Sequence, residues 1–135
     1  MSQHHTGSCL CGQVSYKLIG EFKKFFLCHC SRCRKTSGTS HCANLFAPGA
    51  ELTWVSGADN IHFYRHPDSN FARAFCQTCG SNVPIDAKAR GLVVVPAGSL
   101  DSDLDIKAQA NIFMGSKGNW DDNLNQAPCF DAMPS

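Results

Sequence analysis

Alternating hydrophobic and polar residues near the start of the chain predict a β-strand with one buried face. Val14, Tyr16 and Leu18 alternate with Ser15 and Lys17, which is the period-two pattern of a half-buried strand. Similar segments follow as far as residue 113, and breaks such as Pro48-Gly49 separate them. The further predicted strands are 40–46, 51–55, 61–65, 72–75, 83–86, 92–97 and 108–113.

A short helical turn is predicted at Ser31–Ser37, and Gly38 is placed to end it. The fold class is therefore mainly β. A chain of 135 residues with 43% hydrophobic residues can bury one continuous core, so we expect a single domain over 1–135. Its ordered core is predicted at about 7–120, with a loosely ordered C-terminal tail at 121–135.

Composition and charge narrow the classes of function. The longest apolar run, 92–97, is too short to cross a bilayer. With 12 Lys+Arg against 11 Asp+Glu, the chain lacks the basic excess that favours nucleic acid. The first residues, with His4 and His5 read as tail, contain no basic region followed by an apolar stretch, so we expect a cytoplasmic protein. The sequence leaves the oligomeric state open.

The cysteines carry the strongest chemical signal. The chain has nine, and clustered thiols in a reducing compartment usually hold metal rather than form disulfides. Seven of them fall into three motifs: Cys9-Leu10-Cys11, Cys28-His29-Cys30-Ser31-Arg32-Cys33 and Cys76-Gln77-Thr78-Cys79.

The motifs divide into a set of four and a set of three. A tetrahedral zinc site commonly takes two close cysteine pairs, each on a tight turn. The two outer motifs have this form, since Gly12 follows one pair and Gly80 follows the other. If they close one site, the central motif retains three thiolates, and the vacant position is typical of a catalytic zinc. The four proposed structural ligands are Cys9, Cys11, Cys76 and Cys79, and the three proposed catalytic ligands are Cys28, Cys30 and Cys33.

Two other interpretations of the cysteines stay open. Zinc could serve only to stabilise the fold, using four of the seven clustered cysteines. Alternatively, Cys76 and Cys79 could form a redox disulfide, although no βαβ pattern surrounds them. The first alternative predicts one metal ion per chain, whereas the division into four and three predicts two.

Several residues beside the central motif have competing roles. Arg32, Arg34 and Lys35 could offset the charge of three thiolates or bind substrate carboxylates, or they could form a solvated face. His29 lies between two proposed ligands, so its side chain should point away from the metal and be structural.

Four further residues lie outside the proposed ligand sets. Cys42 and Cys129 are interpreted as small buried hydrophobic residues rather than ligands. Phe113 and Trp120 could wall a pocket or could belong to the core.

The motifs and their order resemble the glutathione-dependent formaldehyde-activating enzyme (Gfa-like) family. The similarity runs from about Gly7 to Trp120. The segments that carry it are Ser8-Cys9-Leu10-Cys11-Gly12-Gln13-Val14-Ser15-Tyr16, Cys28-His29-Cys30-Ser31-Arg32-Cys33-Arg34-Lys35, Phe75-Cys76-Gln77-Thr78-Cys79-Gly80-Ser81 and Ile112-Phe113-Met114-Gly115-Ser116-Lys117-Gly118-Asn119-Trp120. Gly118-Asn119 stands where Ala-Pro is usual in the family, and Asn111 where a histidine often precedes the Ile-Phe pair.

The resemblance implies a fold and an activity. The fold would be a single-domain Mss4-like arrangement of packed antiparallel β-sheets with zinc-binding turns. The activity would be that of a zinc-dependent carbon-sulfur lyase acting on a thiol-aldehyde adduct, as in S-(hydroxymethyl)glutathione synthase, with glutathione as the thiol. The family's zinc ligands correspond to the same two cysteine sets. The alternative is a non-enzymatic, zinc-stabilised β module that binds a protein partner, because fold alone does not determine function.

Overall fold

Within residues 3–134, which the computed structural model describes, the chain forms eleven strands and one α-helix. Met1, Ser2 and Ser135 belong to the predicted domain but lie outside the described residues. The strands are β1 (His4–Ser8), β2 (Ser15–Ile19), β3 (Lys24–Cys28), β4 (Cys42–Pro48), β5 (Glu51–Ser56), β6 (Ile61–Arg65), β7 (Ala72–Cys76), β8 (Asn82–Val83), β9 (Ile85–Ala87), β10 (Leu92–Pro96) and β11 (Ala110–Ile112), and the helix is α1 (Ser31–Ser37). The predicted mainly β class is confirmed.

The strands form three sheets. A five-stranded sheet has the order β11-β3-β4-β10-β9, and two three-stranded sheets have the orders β1-β2-β5 and β6-β7-β8. The pairs are antiparallel except for β11 and β3, which run parallel with Ile112 opposite Cys28. No helix among residues 3–134 is long and apolar enough to span a membrane.

Two hydrophobic clusters hold the sheets together. Tyr16 and Leu18 of β2 are fully buried, as their alternation predicts, and they pack with Leu45 and Val95 of the five-stranded sheet. The second cluster consists of Cys9, Val14, Ala74, Cys76 and Val83. It joins β7 and β8 to the turn before β2, so the same packing that stabilises the sheets also brings two of the cysteine motifs together.

The assignment of His4 and His5 to a tail is wrong, because they begin β1. The sequence His-His-Thr-Gly-Ser has no apolar alternation, yet His5 is only 6% exposed and its ring centroid lies 4.7 Å from that of Phe22. Gly7 is required in this strand, since a Cβ there would lie 2.2 Å from the Tyr16 ring. This strand therefore forms through its pairing with β2 and the burial of His5 and Gly7, without an apolar pattern.

Two other elements differ from the predicted strands. β3, with the sequence Lys-Phe-Phe-Leu-Cys, was not predicted, because its apolar run at 25–27 neither alternates nor reaches the length of the run at 92–97. The predicted strand 83–86 divides at Pro84 into β8 and β9, since proline has no N–H to donate to a ladder. The helix α1 has its predicted bounds, and Gly38 ends it in the left-handed region at φ 71°.

Candidate metal centres

The four-cysteine cluster is built on two tight turns. After β1, the Cys9 N–H donates to Val14 O at 2.9 Å, and Gly12 takes φ 82° inside this turn. After β7, Gly80 takes φ 76° and its N–H donates to Cys76 O at 2.8 Å. Glycine permits both left-handed turns, and each turn aims two sulfurs at one point.

The sulfurs of this cluster are spaced for a tetrahedral metal. Cys9, Cys11, Cys76 and Cys79 have their Sγ atoms within 4.8 Å of one another. Two of the separations are 3.6 Å (Cys9 to Cys11) and 3.8 Å (Cys11 to Cys76). A zinc ion with four bonds of about 2.3 Å to sulfur separates its ligands by about 3.8 Å. The arrangement therefore fits a closed four-thiolate site.

Hydrogen-bond donors lie close to three sulfurs of this cluster. The Val14 N–H donates to Cys9 Sγ at 3.2 Å, and the Asn60 side-chain amide donates to Cys76 Sγ at 3.5 Å. The Ser81 hydroxyl lies 3.2 Å from Cys79 Sγ, and its hydrogen bond to the thiolate lowers the pKa of Cys79 to about 5. The Cys79 sulfur is thus prepared for ligation close to neutral pH.

The three-cysteine cluster lies where β3 passes into α1. Cys28 is the last residue of β3, Cys30 is the N-cap of α1, and Cys33 faces inward from its first turn. Their Sγ atoms all lie within 4.8 Å of one another. Cys28 and Cys33 are 8% and 4% exposed, whereas Cys30 is half-buried. The set fits three ligands of one thiophilic metal ion.

The three thiols differ in how readily they ionise. Burial raises the pKa of Cys28. Burial acts in the same direction on Cys30, but the hydrogen bond donated by the Cys33 N–H, at 3.3 Å, helps to lower the pKa of Cys30 below its ordinary value. The N-cap sulfur is therefore the one that ionises first in this cluster.

A cleft of about 870 Å³ opens beside the three-cysteine cluster, and Cys28, Cys30 and Cys33 line it. Its lining contains four basic side chains and one acidic side chain, which are Arg32, Arg65, Lys88, Arg90 and Asp86. Its volume lies within the range of small-molecule sites. The cleft therefore favours an anionic ligand of small-molecule size beside the sulfurs.

The three basic residues in and after the central motif, Arg32, Arg34 and Lys35, lie in different environments. Arg32 lines the cleft. The Arg34 Nε–H instead donates to the Ser116 carbonyl at 3.1 Å, and Lys35 is exposed. Arg32 alone of the three therefore lies where a substrate could reach it.

The two remaining cysteines stay outside the ligand groups. Cys42 pairs with Cys28 across β3 and β4, and its Sγ–H donates to the Cys33 carbonyl at 3.4 Å. Cys129 is exposed, so its expected burial is wrong, and its Sγ lies 3.7 Å from the Ala127 carbonyl. Neither joins the groups of sulfurs within 4.8 Å.

Phe113 and Trp120, the two aromatic candidates for a pocket wall, lie in different environments. Phe113 is 63% exposed, lines the cleft, and takes a left-handed φ of 57°. Trp120 covers Gly118, where an added Cβ would lie 2.7 Å from the indole Nε1. Glycine at 118 thus has a local reason, because a larger residue would displace the indole.

His29 occupies a buried polar site beneath the three-cysteine cluster and is 3% exposed. Its Nδ1 lies 2.7 Å from Asp121 Oδ2, and its Nε2 lies 3.0 Å from Asn111 Oδ1. Both ring nitrogens thus contact protein groups, as expected for a structural role. The Asp121 side chain, which the sequence places at the start of the tail, is 6% exposed and packs with the domain.

Sequence reasoning missed Arg65, Lys88, Arg90 and Asp121 as residues near the central cluster. They come from β6, from the turn after β9 and from the segment after β11. None has a diagnostic spacing relative to the cysteines. Only the tertiary fold brings these residues to the cleft and the cluster.

The chain is similar to a known protein family and to a solved structure. A family model described as glutathione-dependent formaldehyde-activating enzyme matches residues 4–116. The crystal structure of a Rhodobacter sphaeroides protein is similar to this chain, with a TM-score of 0.59 and 23% sequence identity. The similarity covers 78% of this chain and 98% of that chain. At this level of identity, the structural likeness concerns the fold alone.

Proposed function

Because the chain belongs to the glutathione-dependent formaldehyde-activating enzyme family, we propose that it is a zinc-dependent carbon-sulfur lyase that forms and cleaves the adduct of glutathione and formaldehyde. The observation that carries this proposal is the location of three clustered sulfurs on the wall of a basic cleft. We also propose that residues 1–135 form one domain and that the protein acts in the cytoplasm, where its thiols stay reduced.

The proposal includes two zinc ions per chain with different tasks. Cys9, Cys11, Cys76 and Cys79 supply four sulfurs and would complete a structural site. Cys28, Cys30 and Cys33 supply three, which leaves one position for a substrate thiol. When bound there, zinc lowers the pKa of a coordinated thiol, so that the thiol reacts as a thiolate near neutral pH.

The reaction needs few other groups. The thiol sulfur forms a bond to the aldehyde carbon while the carbonyl π bond breaks, and the thiol proton ends on the carbonyl oxygen as a hydroxyl. Reversal of the same steps releases the aldehyde. The residues of the cleft would contribute by holding the thiol beside the aldehyde, which makes a reaction between two molecules effectively intramolecular. The exposed ring of Phe113 lines the same cleft.

The charge of the cleft matches the charge of glutathione. Glutathione carries two carboxylates away from its sulfur, and Arg65, Lys88 and Arg90 line the cleft together with the three cysteines. All three basic residues are exposed, so each interaction with a carboxylate is worth at most about 1 kcal/mol. Several such interactions acting together would still select an anionic thiol over a neutral one.

Removing two of these charges should weaken glutathione binding and leave the fold intact. The double substitution Arg65→Ala with Arg90→Ala is expected to raise the KM for glutathione about tenfold, since two contacts of up to about 1 kcal/mol are lost. The parent KM should also rise with ionic strength. Steady-state kinetics at two salt concentrations measure both effects.

The matched control for this experiment is Lys107→Ala, which removes an exposed positive charge outside the cleft. Its KM should equal that of the parent. Cysteamine, a thiol without a carboxylate, should react equally with the parent and the double variant. A KM unchanged by the double substitution would assign the carboxylate contacts to other residues.

The proposed function as a whole is tested by metal analysis combined with ligand binding and turnover. Protein purified without chelator should contain two zinc ions per chain and bind glutathione in calorimetry. It should also accelerate exchange of ¹³C-formaldehyde with its glutathione adduct, as followed by NMR. A reproducible content of one zinc would contradict the division into two sites. Two zinc ions without glutathione binding or turnover would favour the non-enzymatic partner-binding module.

A further inference from the structure

His29 is the single residue between Cys28 and Cys30, two of the proposed ligands of the three-cysteine cluster, and its side chain faces away from them. Side chains alternate between the two faces of an extended segment, so Cys28 and Cys30 share one face and His29 takes the other. The His29 N–H donates to the Ile112 carbonyl at 2.9 Å, which continues the parallel pairing of β3 with β11. The rotation of this segment about its axis therefore decides where both sulfurs point.

The His29 ring is fixed by two residues that are distant in sequence. Asp121 lies 92 residues away and Asn111 lies 82 residues away. The His29 and Asp121 side chains are 4% and 6% exposed, so water competes little for their hydrogen bond. A carboxylate only accepts, and the ring Nδ1–H therefore donates to Asp121. An asparagine amide offers both a donor and an acceptor, so Asn111 can serve Nε2 in either state of that atom.

We infer that Asp121 and Asn111 are positioning residues that set, through the His29 ring, the orientation of Cys28 and Cys30 in the three-cysteine cluster. The inference rests on the proposed function, because it assumes that these sulfurs hold a metal. Outer hydrogen-bond partners of a metal site commonly change metal affinity or activity by 10–100-fold when they are removed. Here the partner acts through the residue between two ligands rather than through a ligand itself.

Contacts at two points hold the segment that carries Asp121 in place. The Arg34 side chain, in α1, donates a hydrogen bond to the Ser116 carbonyl. Asp121, five residues after Ser116, hydrogen-bonds to His29. The segment 113–121 is thus anchored on both sides of the turn that contains Cys30. Asp121 is the one carboxylate in this anchor, and its neighbour Asp122 is 60% exposed and pairs with Lys117 instead.

The test compares Asp121→Ala with Asp122→Ala in the full chain loaded with zinc. Competition with a chromogenic chelator should show the weaker zinc of Asp121→Ala bound about 10–100-fold less tightly than in the parent. The tighter zinc, assigned to the four-cysteine cluster, should be unaffected. With cobalt in place of zinc, the visible d–d bands of the weaker site should shift. Asp122→Ala should match the parent in all three measurements.

Asp121→Asn covers the case in which the alanine variant fails to fold, since it keeps the size and one acceptor oxygen. It should also lower the affinity for the weaker metal ion, by a smaller factor than Asp121→Ala. Parent affinity and an unchanged cobalt spectrum in a folded Asp121 variant would overturn the inference alone. A parent that holds no second metal ion would overturn both the proposed function and this inference.

Discussion

Replacing Cys76 with serine is expected to lower the melting temperature by about 20 °C or more and to release the tighter zinc ion. Structural zinc contributes roughly 10–16 kcal/mol of apparent binding free energy in small zinc domains, which is comparable to the whole stability of a typical domain. Cys76 is fully buried and belongs to the second hydrophobic cluster. Its loss therefore removes a metal ligand and disturbs the packing between two sheets at once. Thermal unfolding followed by circular dichroism, together with zinc analysis, measures the effect.

Two further variants sharpen this experiment. Cys9→Ser should behave like Cys76→Ser, because Cys9 belongs to the same group of four sulfurs and the same core cluster. Cys129→Ser should melt like the parent, since Cys129 is exposed and lies outside both groups. If Cys9→Ser and Cys76→Ser keep full metal and melt like the parent, the assignment of a structural site is wrong.

Replacing Cys30 with serine is expected to abolish activity while the domain stays folded. A hydroxyl is a poor ligand for zinc, so the metal of the three-cysteine cluster should be lost or bound weakly, and glutathione affinity should fall with it. The melting temperature should drop only modestly, because the four-cysteine cluster still links the β1-β2-β5 and β6-β7-β8 sheets. Melting temperature, zinc content and glutathione affinity are measured on one preparation.

Cys42→Ser is the matched control for Cys30→Ser. Cys42 contacts the Cys33 carbonyl but lies outside the group of three sulfurs, so this variant should keep both metal ions. Outright unfolding of Cys30→Ser would indicate a structural role for the central metal. Undiminished glutathione affinity in Cys30→Ser without that metal would remove the metal from substrate binding.

The strands predicted from the sequence are those in which local pattern and tertiary environment agree. Tyr16 and Leu18 alternate with polar residues because one face of β2 packs on the five-stranded sheet and the other does not. β1 and β3 were not predicted from the sequence, and each has a different cause. β1 carries His5 and Gly7 where a hydrophobic pattern expects larger apolar residues, and the apolar run of β3 after Lys24 is too short to show a period.

The candidate metal centres were predictable because their ligands come in short motifs. Each motif fixes its own turn, and only the pairing of two turns requires the fold. The cleft and the buried histidine site are different, since Arg65, Arg90, Asn111 and Asp121 come from separate segments. Their roles depend on distances that no local pattern encodes, and Asp121 even follows the last recognisable motif.

The two cysteine clusters also differ in the length of chain that each one closes. The sulfurs of Cys11 and Cys76 meet across a separation of 65 residues, whereas Cys28 and Cys33 lie within a single turn. Closing a loop of that length in an unfolded chain costs on the order of 4 kcal/mol in conformational entropy. The long loop therefore gathers its four sulfurs at a lower cost in entropy once the sheets have assembled, whereas the three sulfurs of the short segment lie close together along the chain at any stage. The four-cysteine cluster is in this sense a cross-link between distant segments of the folded chain. The unfolding of Cys76→Ser measures how much of the stability of the fold depends on that cross-link.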